Sequence, residues 1–94
     1  MNWYSQLTRL ILSFYREDPI QLEQLQVIKS CRLSRRWGTL RIDCRDMQTA
    51  NAVQGAIALI REPVAQLRLA QQISISVNGV LVRALPVHPF RLTT

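Results

Sequence analysis

The chain has 94 residues, 48 % of them hydrophobic, with only four prolines and three glycines, a balance that suits one folded domain with its own core and excludes disorder. Its formal charge of +6 comes from eleven arginines and one lysine against six acids, and the seventeen residues from Lys29 to Arg45 carry +5 of it. No apolar run nears the ~20 residues of a membrane span, the start lacks the basic region and cleavage site of a signal peptide, and two cysteines are too few for a secreted disulfide framework, so a cytoplasmic protein is expected.

Trp3, Leu7, Leu10, Ile11 and Phe14 recur at the spacing of one helical face and predict a helix over about 3–15, capped by Asn2 and ended by Glu17-Asp18-Pro19. Pro19 either closes that region or opens a short second helix, with Asp18 as cap and Gln21 as its N3 partner. From about Leu25 the pattern turns to alternation, with Val27, Lys29, Cys31 and Leu33 against Ile28, Ser30 and Arg32, which reads as a strand. A second strand follows, in which Leu40, Ile42 and Cys44 alternate with Thr39, Arg41, Asp43 and Arg45. Gly38 supplies the positive φ of a tight turn, so the two strands form an antiparallel hairpin over 25–45. Arg32 and Arg41 fall on its outer face, with Arg35, Arg36 and Trp37 at the tip.

Asp46 is a helix cap, and Met47, Ala50, Val53, Ile57, Ile60, Val64 and Leu67 trace the stripe of the main helix. Pro63 is expected to kink this helix or split it, with a stop near Arg61, and Gly55 is read as room for close packing. Ile73 to Leu85 then form a hairpin around Asn78-Gly79, the preferred two-residue type I′ turn. Its regular register pairs Val77 with Val80, Ile75 with Val82 and Ile73 with Ala84, leaving Ser74, Ser76, Leu81, Arg83 and Leu85 on the other face. Leu81 and Leu85 do not suit a polar face, so either the sheet packs on both sides or this hairpin meets a partner. Pro86 and Pro89 end the strand, and a surface tail from about 86 completes the single domain 1–94. The order is α-β-β-α-β-β, which makes the fold α+β: a small two-layer domain, with a right-handed crossover if the second and third strands run parallel.

The run Leu40-Arg-Ile-Asp-Cys44, then Ala52, Gln54, Ile60, Val64 and Leu67, and finally Ile73-Ser-Ile-Ser-Val77 with Gly79, resembles the strand, helix and final strand of the N-terminal KH-like domain of bacterial replication initiators of the DnaA family. Trp3 and Leu7 stand where that domain's first helix has similar residues, so the likeness covers roughly 3–79. The chain departs from the pattern in lacking an aromatic pair in 19–28 and in adding a strand at 80–85. The resemblance implies a KH-like architecture and a replication-associated or nucleoprotein adaptor role, and carries over no functional residue. A true KH domain clamps phosphates with a GXXG loop, and Gly38, Gly55 and Gly79 form no such pair; RNP aromatics, a Walker loop and a Rossmann fingerprint are missing too.

Enzymatic chemistry is not expected. His88 is the only histidine and lies beside the C-terminal prolines, Cys31 and Cys44 lack metal spacing, and no cofactor, metal or small-molecule substrate is indicated. A tight turn would set the two cysteines side by side, yet both are read as small core residues rather than a bridge. Asp46 is read as a cap, and Asp43 as a strand-surface ion partner for Arg41 or a neighbouring arginine. Two functions of different class follow. In the first, Lys29, Arg32, Arg35, Arg36, Arg41 and Arg45 hold the phosphates of a nucleic acid while Trp37 stacks on a base, unless the tryptophan folds back on its own hairpin. In the second, Leu81, Arg83 and Leu85 of the C-terminal hairpin join a protein partner or a second copy by strand addition.

Overall fold

Residues 6–88 are described by the structure, a computed structural model. Helix α1 (Gln6–Phe14) turns Thr8 and Ile11 into the core with Tyr15 just past its end, the three- and four-residue steps of one helical face. Phe14, assigned to that face from the sequence, is instead exposed, because the buried stripe runs through Tyr15. Trp3 and the Asn2 cap lie outside the described residues. The second helix does form: α2 (Pro19–Gln24) starts on Pro19, and the Asp18 carboxylate accepts from the Gln21 backbone N–H at 3.5 Å.

The strand expected from Leu25 is not there. A 3₁₀ helix (Leu25–Ser30) takes its place, and its fully buried residues, Leu25 and Ile28, stand three apart, as three residues per turn requires. The alternation of Cys31 and Leu33 with polar neighbours suggests a strand, but Leu25 and Ile28, three apart, would point to opposite faces of one. The hairpin therefore spans only β1 (Arg32–Arg36) and β2 (Thr39–Cys44), with Leu33 opposite Ile42 and Arg35 opposite Leu40.

Past the Asp46 cap, whose carboxylate accepts from Thr49 N at 2.8 Å, the long helix divides into α3 (Met47–Gly55) and α4 (Ile57–Gln66). The break comes at Gly55-Ala56, one turn and more before the expected place, and Pro63 sits buried inside α4. Proline there removes the N–H that would bond the Leu59 carbonyl, a loss that normally ends a helix. Here the Tyr15 hydroxyl donates to that carbonyl at 2.7 Å, so the residue that follows α1 supplies the bond that Pro63 cannot. Gly55 is exposed and a Cβ on it would touch nothing, so it makes no close packing; its low helix propensity fits the break instead. Ala50, Val53, Ile60 and Val64 keep the core stripe, whereas Met47 and Leu67 at its two ends are exposed.

Strand β3 (Gln72–Val77) runs parallel to β2, and β4 (Val80–Pro86) returns antiparallel to it, giving the sheet order β1-β2-β3-β4. The turn at Asn78-Gly79 is as expected, but the register past it is not. A β-bulge leaves Val82 without a partner, so Ile75 faces Arg83 and Ile73 faces Leu85. Leu81 and Leu85, four apart, would share a face in a regular strand; the extra residue sends Leu85 into the core at 8 % exposure and leaves Leu81 outside at 61 %. Leu85 is thus a core residue of this fold and offers nothing to a partner. The supposed tail is also tied down: Val87 is buried, its N–H bonds the Gln71 carbonyl at 2.9 Å, and its carbonyl accepts from Arg61 Nε at 3.3 Å. Residues 89–94 lie outside the described residues.

The buried apolar side chains of helices and sheet form one cluster on one side of the sheet. The architecture is α+β with two layers, and among the described residues no helix covers the opposite sheet face.

Candidate functional site

Two residues connect β1 to β2, Trp37 at φ 51° and Gly38 at φ 75°, the left-handed pair of a type I′ turn. Glycine suits that conformation; for tryptophan it is strained by about 1–2 kcal/mol, because the Cβ crowds the following carbonyl oxygen. No packing offsets the strain. Trp37 is 92 % exposed, so it does not fold back on its hairpin, and a large apolar ring stands in solvent between Arg36 and Gly38.

Strand alternation and register divide the basic residues between two sides of the sheet. Arg32, Ser34 and Arg36 of β1, with Thr39, Arg41 and Asp43 of β2, share the helix-free face, since Arg32 is opposite Asp43, Ser34 opposite Arg41 and Arg36 opposite Thr39. All three arginines are exposed. At ~3.3 Å per residue along a strand and ~4.8 Å between strands, they form a zigzag row with steps of about 8 Å leading to the tip. Asp43, the one acid of that face in the hairpin, accepts from Ser76 Oγ at 3.0 Å and so belongs to a polar bond with β3 rather than to an ion pair with Arg41.

Arg35 departs from the expected cluster. It shares the helix-side face with Leu33 and Leu40, and its guanidinium donates to the Leu69 carbonyl at 3.0 Å, bracing the segment after α4. Lys29 and Arg45 lie at the other end of the hairpin, beside Arg32, Cys31 and Cys44, away from Trp37. The structure therefore sets Arg36 and Arg41 nearest Trp37, leaves Arg32 farther down the row beside Lys29 and Arg45, and turns Arg35 to the other side of the sheet. Of the residues expected to meet a partner, Leu81 is exposed on β4, Leu85 is internal, and Arg83 reaches Gln54 of α3 at 3.5 Å.

At the open end of the hairpin the two cysteine sulfurs stand 3.6 Å apart as free thiols. Burial pushes the Cys31 thiol up to about 12, with the nearby Cys44 adding to the rise, and burial raises Cys44 as well. Neither is a thiolate at neutral pH, so neither is an activated nucleophile. Among the described residues no group of three His, Cys, Asp or Glu is placed to hold a metal ion, and no helix is long and apolar enough to cross a membrane.

One basic residue escaped the sequence reading. Arg68 follows α4 at φ 55°, where the Leu69 N–H bonds the Val64 carbonyl at 2.9 Å and the Arg68 N–H bonds the Ala65 carbonyl at 3.2 Å. This is a Schellman ending with arginine at the position that favours glycine. The sequence signal was weak: a lone arginine after an apolar helix ordinarily reads as solvated surface. Neither a protein-family model nor a curated protein nor a solved structure matches this chain.

Proposed function

We propose that this protein is a non-enzymatic module that binds nucleic acid through the tip and the helix-free face of the β1–β2 hairpin. The observation that carries the reading is Trp37, held exposed in a strained turn at the head of a row of three arginines. Arginine forks donate two hydrogen bonds to one phosphate, and an exposed indole stacks on a base for about 1–3 kcal/mol. An extended surface of this kind suits a polymer of phosphates better than a single small anion. The resemblance to replication-initiator domains adds a nucleoprotein setting to the proposal, and the proposal sets the protein in the cytoplasm.

Titration with short labelled oligonucleotides at about 50 and about 200 mM salt tests it. Three phosphate contacts at a slope of ~0.7 each lower the affinity roughly twentyfold across that range. Replacing Arg32, Arg36 and Arg41 together by Ala should abolish most of the binding while the thermal midpoint stays near wild type, since all three are exposed. Binding that is absent at low salt, or indifferent to salt, rejects the reading.

A second reading rests on Val80 and Leu81, exposed at 68 % and 61 % on the edge strand β4, where another strand could add. Sedimentation at rising concentration, with Leu81→Glu as the comparison, decides whether that edge brings two copies together.

A further inference from the structure

On the helix side of the same hairpin tip lies an open cleft of about 810 Å³, between the Gly38 turn and the segment that follows α4. Arg35, Arg68, His88, Gln66 and Gln71 are among the residues that line it, and among the described residues no carboxylate does. The Gly38 carbonyl ties the tip to it by accepting from Gln71 N at 2.8 Å and Gln72 N at 3.2 Å. Arg35 uses one arm on the Leu69 carbonyl, which fixes its guanidinium and leaves other donors of its five for a ligand. Among the described residues, the two with positive φ that are neither glycine nor asparagine, Trp37 and Arg68, thus flank one cleft: Arg68 lines it, and Trp37 precedes Gly38 on its rim. Backbone strain gathered in this way points to a site, because nothing in the packing demands either residue.

One effect opposes an anion here. The cleft faces the C-terminal end of α4, whose dipole weakens anion binding by about two- to fivefold, whereas each charge-assisted bond from a guanidinium strengthens it by about ten- to a hundredfold. Two arginines outweigh the dipole.

We propose that this cleft seats a phosphate of a single-stranded nucleic acid whose chain runs along Arg32, Arg41 and Arg36, passes over Trp37 and enters between Arg35 and Arg68. The inference rests on the reading above and narrows it. The arginine row and the cleft are on opposite sides of the sheet, so a ligand touching both must bend around a two-residue turn. A duplex, with a persistence length of ~150 base pairs, cannot make that bend; a single strand can.

The test compares a short single strand with a duplex of equal length on the whole chain, wild type and Arg68→Gly. Glycine takes the left-handed position without strain, so the thermal midpoint should be unchanged or higher. The single-strand affinity should fall about tenfold and its salt slope by ~0.7, while the weaker duplex binding stays as it was. Arg68→Asn, which also tolerates this conformation, must give the same loss. Single-strand binding that still depends on Arg32, Arg36 and Arg41 but ignores both Arg68 changes overturns the cleft and leaves the broader reading standing, as does equal affinity for duplex. No binding of either oligonucleotide to the wild type overturns both.

Discussion

The two hairpins of this sheet make the same turn from different residues. Trp37-Gly38 has φ values of 51° and 75°, and Asn78-Gly79 has 52° and 84°. Asn-Gly is the low-strain solution for that geometry, since asparagine visits the left-handed region several-fold more often than other residues with a Cβ. Folding alone would therefore select Asn or Gly at position 37 as well. The strands carry the same contrast: on the helix-free face, β3 and β4 place Gln72, Ser74, Ser76, Leu81 and Ala84, without a charge, whereas β1 and β2 place Arg32, Arg36 and Arg41. With geometry held equal, the first hairpin departs from the low-strain choice of turn residue that the second keeps. The second is built for the fold.

The largest expected effect tests the structural half of that contrast. Leu85→Ala opens a cavity beside Ile73 and should destabilise by about 2–4 kcal/mol in denaturant unfolding, whereas Leu81→Ala, outside the core, should change stability by under about 0.5 kcal/mol. Equal effects of the two would mean the bulge does not divide them. Next comes Trp37→Asn, which installs the second hairpin's turn in the first. It should raise stability by about 0.5–1 kcal/mol while nucleic-acid affinity falls about tenfold, the loss of one stacked base. A stability decrease would show that the indole has a packing role. The reciprocal Asn78→Trp should lower stability by up to about 1 kcal/mol.

What the sequence reveals differs between these regions for physical reasons. Both turns were legible, because a glycine with positive φ between alternating runs has few other uses, and the β2 alternation placed Arg41 on the correct face. The bulge was not, although Leu81 and Leu85 on one polar face signalled an irregularity; a single unpaired residue leaves no local mark beyond that misfit. Arg35 was assigned to the tip as part of a charge cluster, and only the pairing with Leu40 reveals that it points to the other side. The position of the helix break followed the same rule. Proline at 63 reads as a breaker locally, and what overrides it is the hydroxyl of Tyr15, 44 residues before the Leu59 carbonyl that it bonds. Long-range partners of this kind are invisible to periodicity.

The smallest expected effect separates the two ends of the first hairpin. Cys31 lies at its open end, and Cys44 accepts the Asn78 N–H on its carbonyl at 3.3 Å, which joins that end to the second turn. The Cys31 thiol, raised from 9.0 to about 12 chiefly by burial, is more easily ionised in the unfolded chain than in the folded one. Its contribution is therefore fully present below pH 9 and is lost as pH rises toward 12, when the unfolded state alone has released the proton. Tyr15, also raised by burial, adds to the loss at the upper end of that range. Chemical unfolding followed from pH 8 to about 11 should show this decline, and Cys31→Ala should flatten its lower part while the Tyr15 share remains. A decline of the same slope in Cys31→Ala would show that the buried thiol does not mark this end of the hairpin as its packing end.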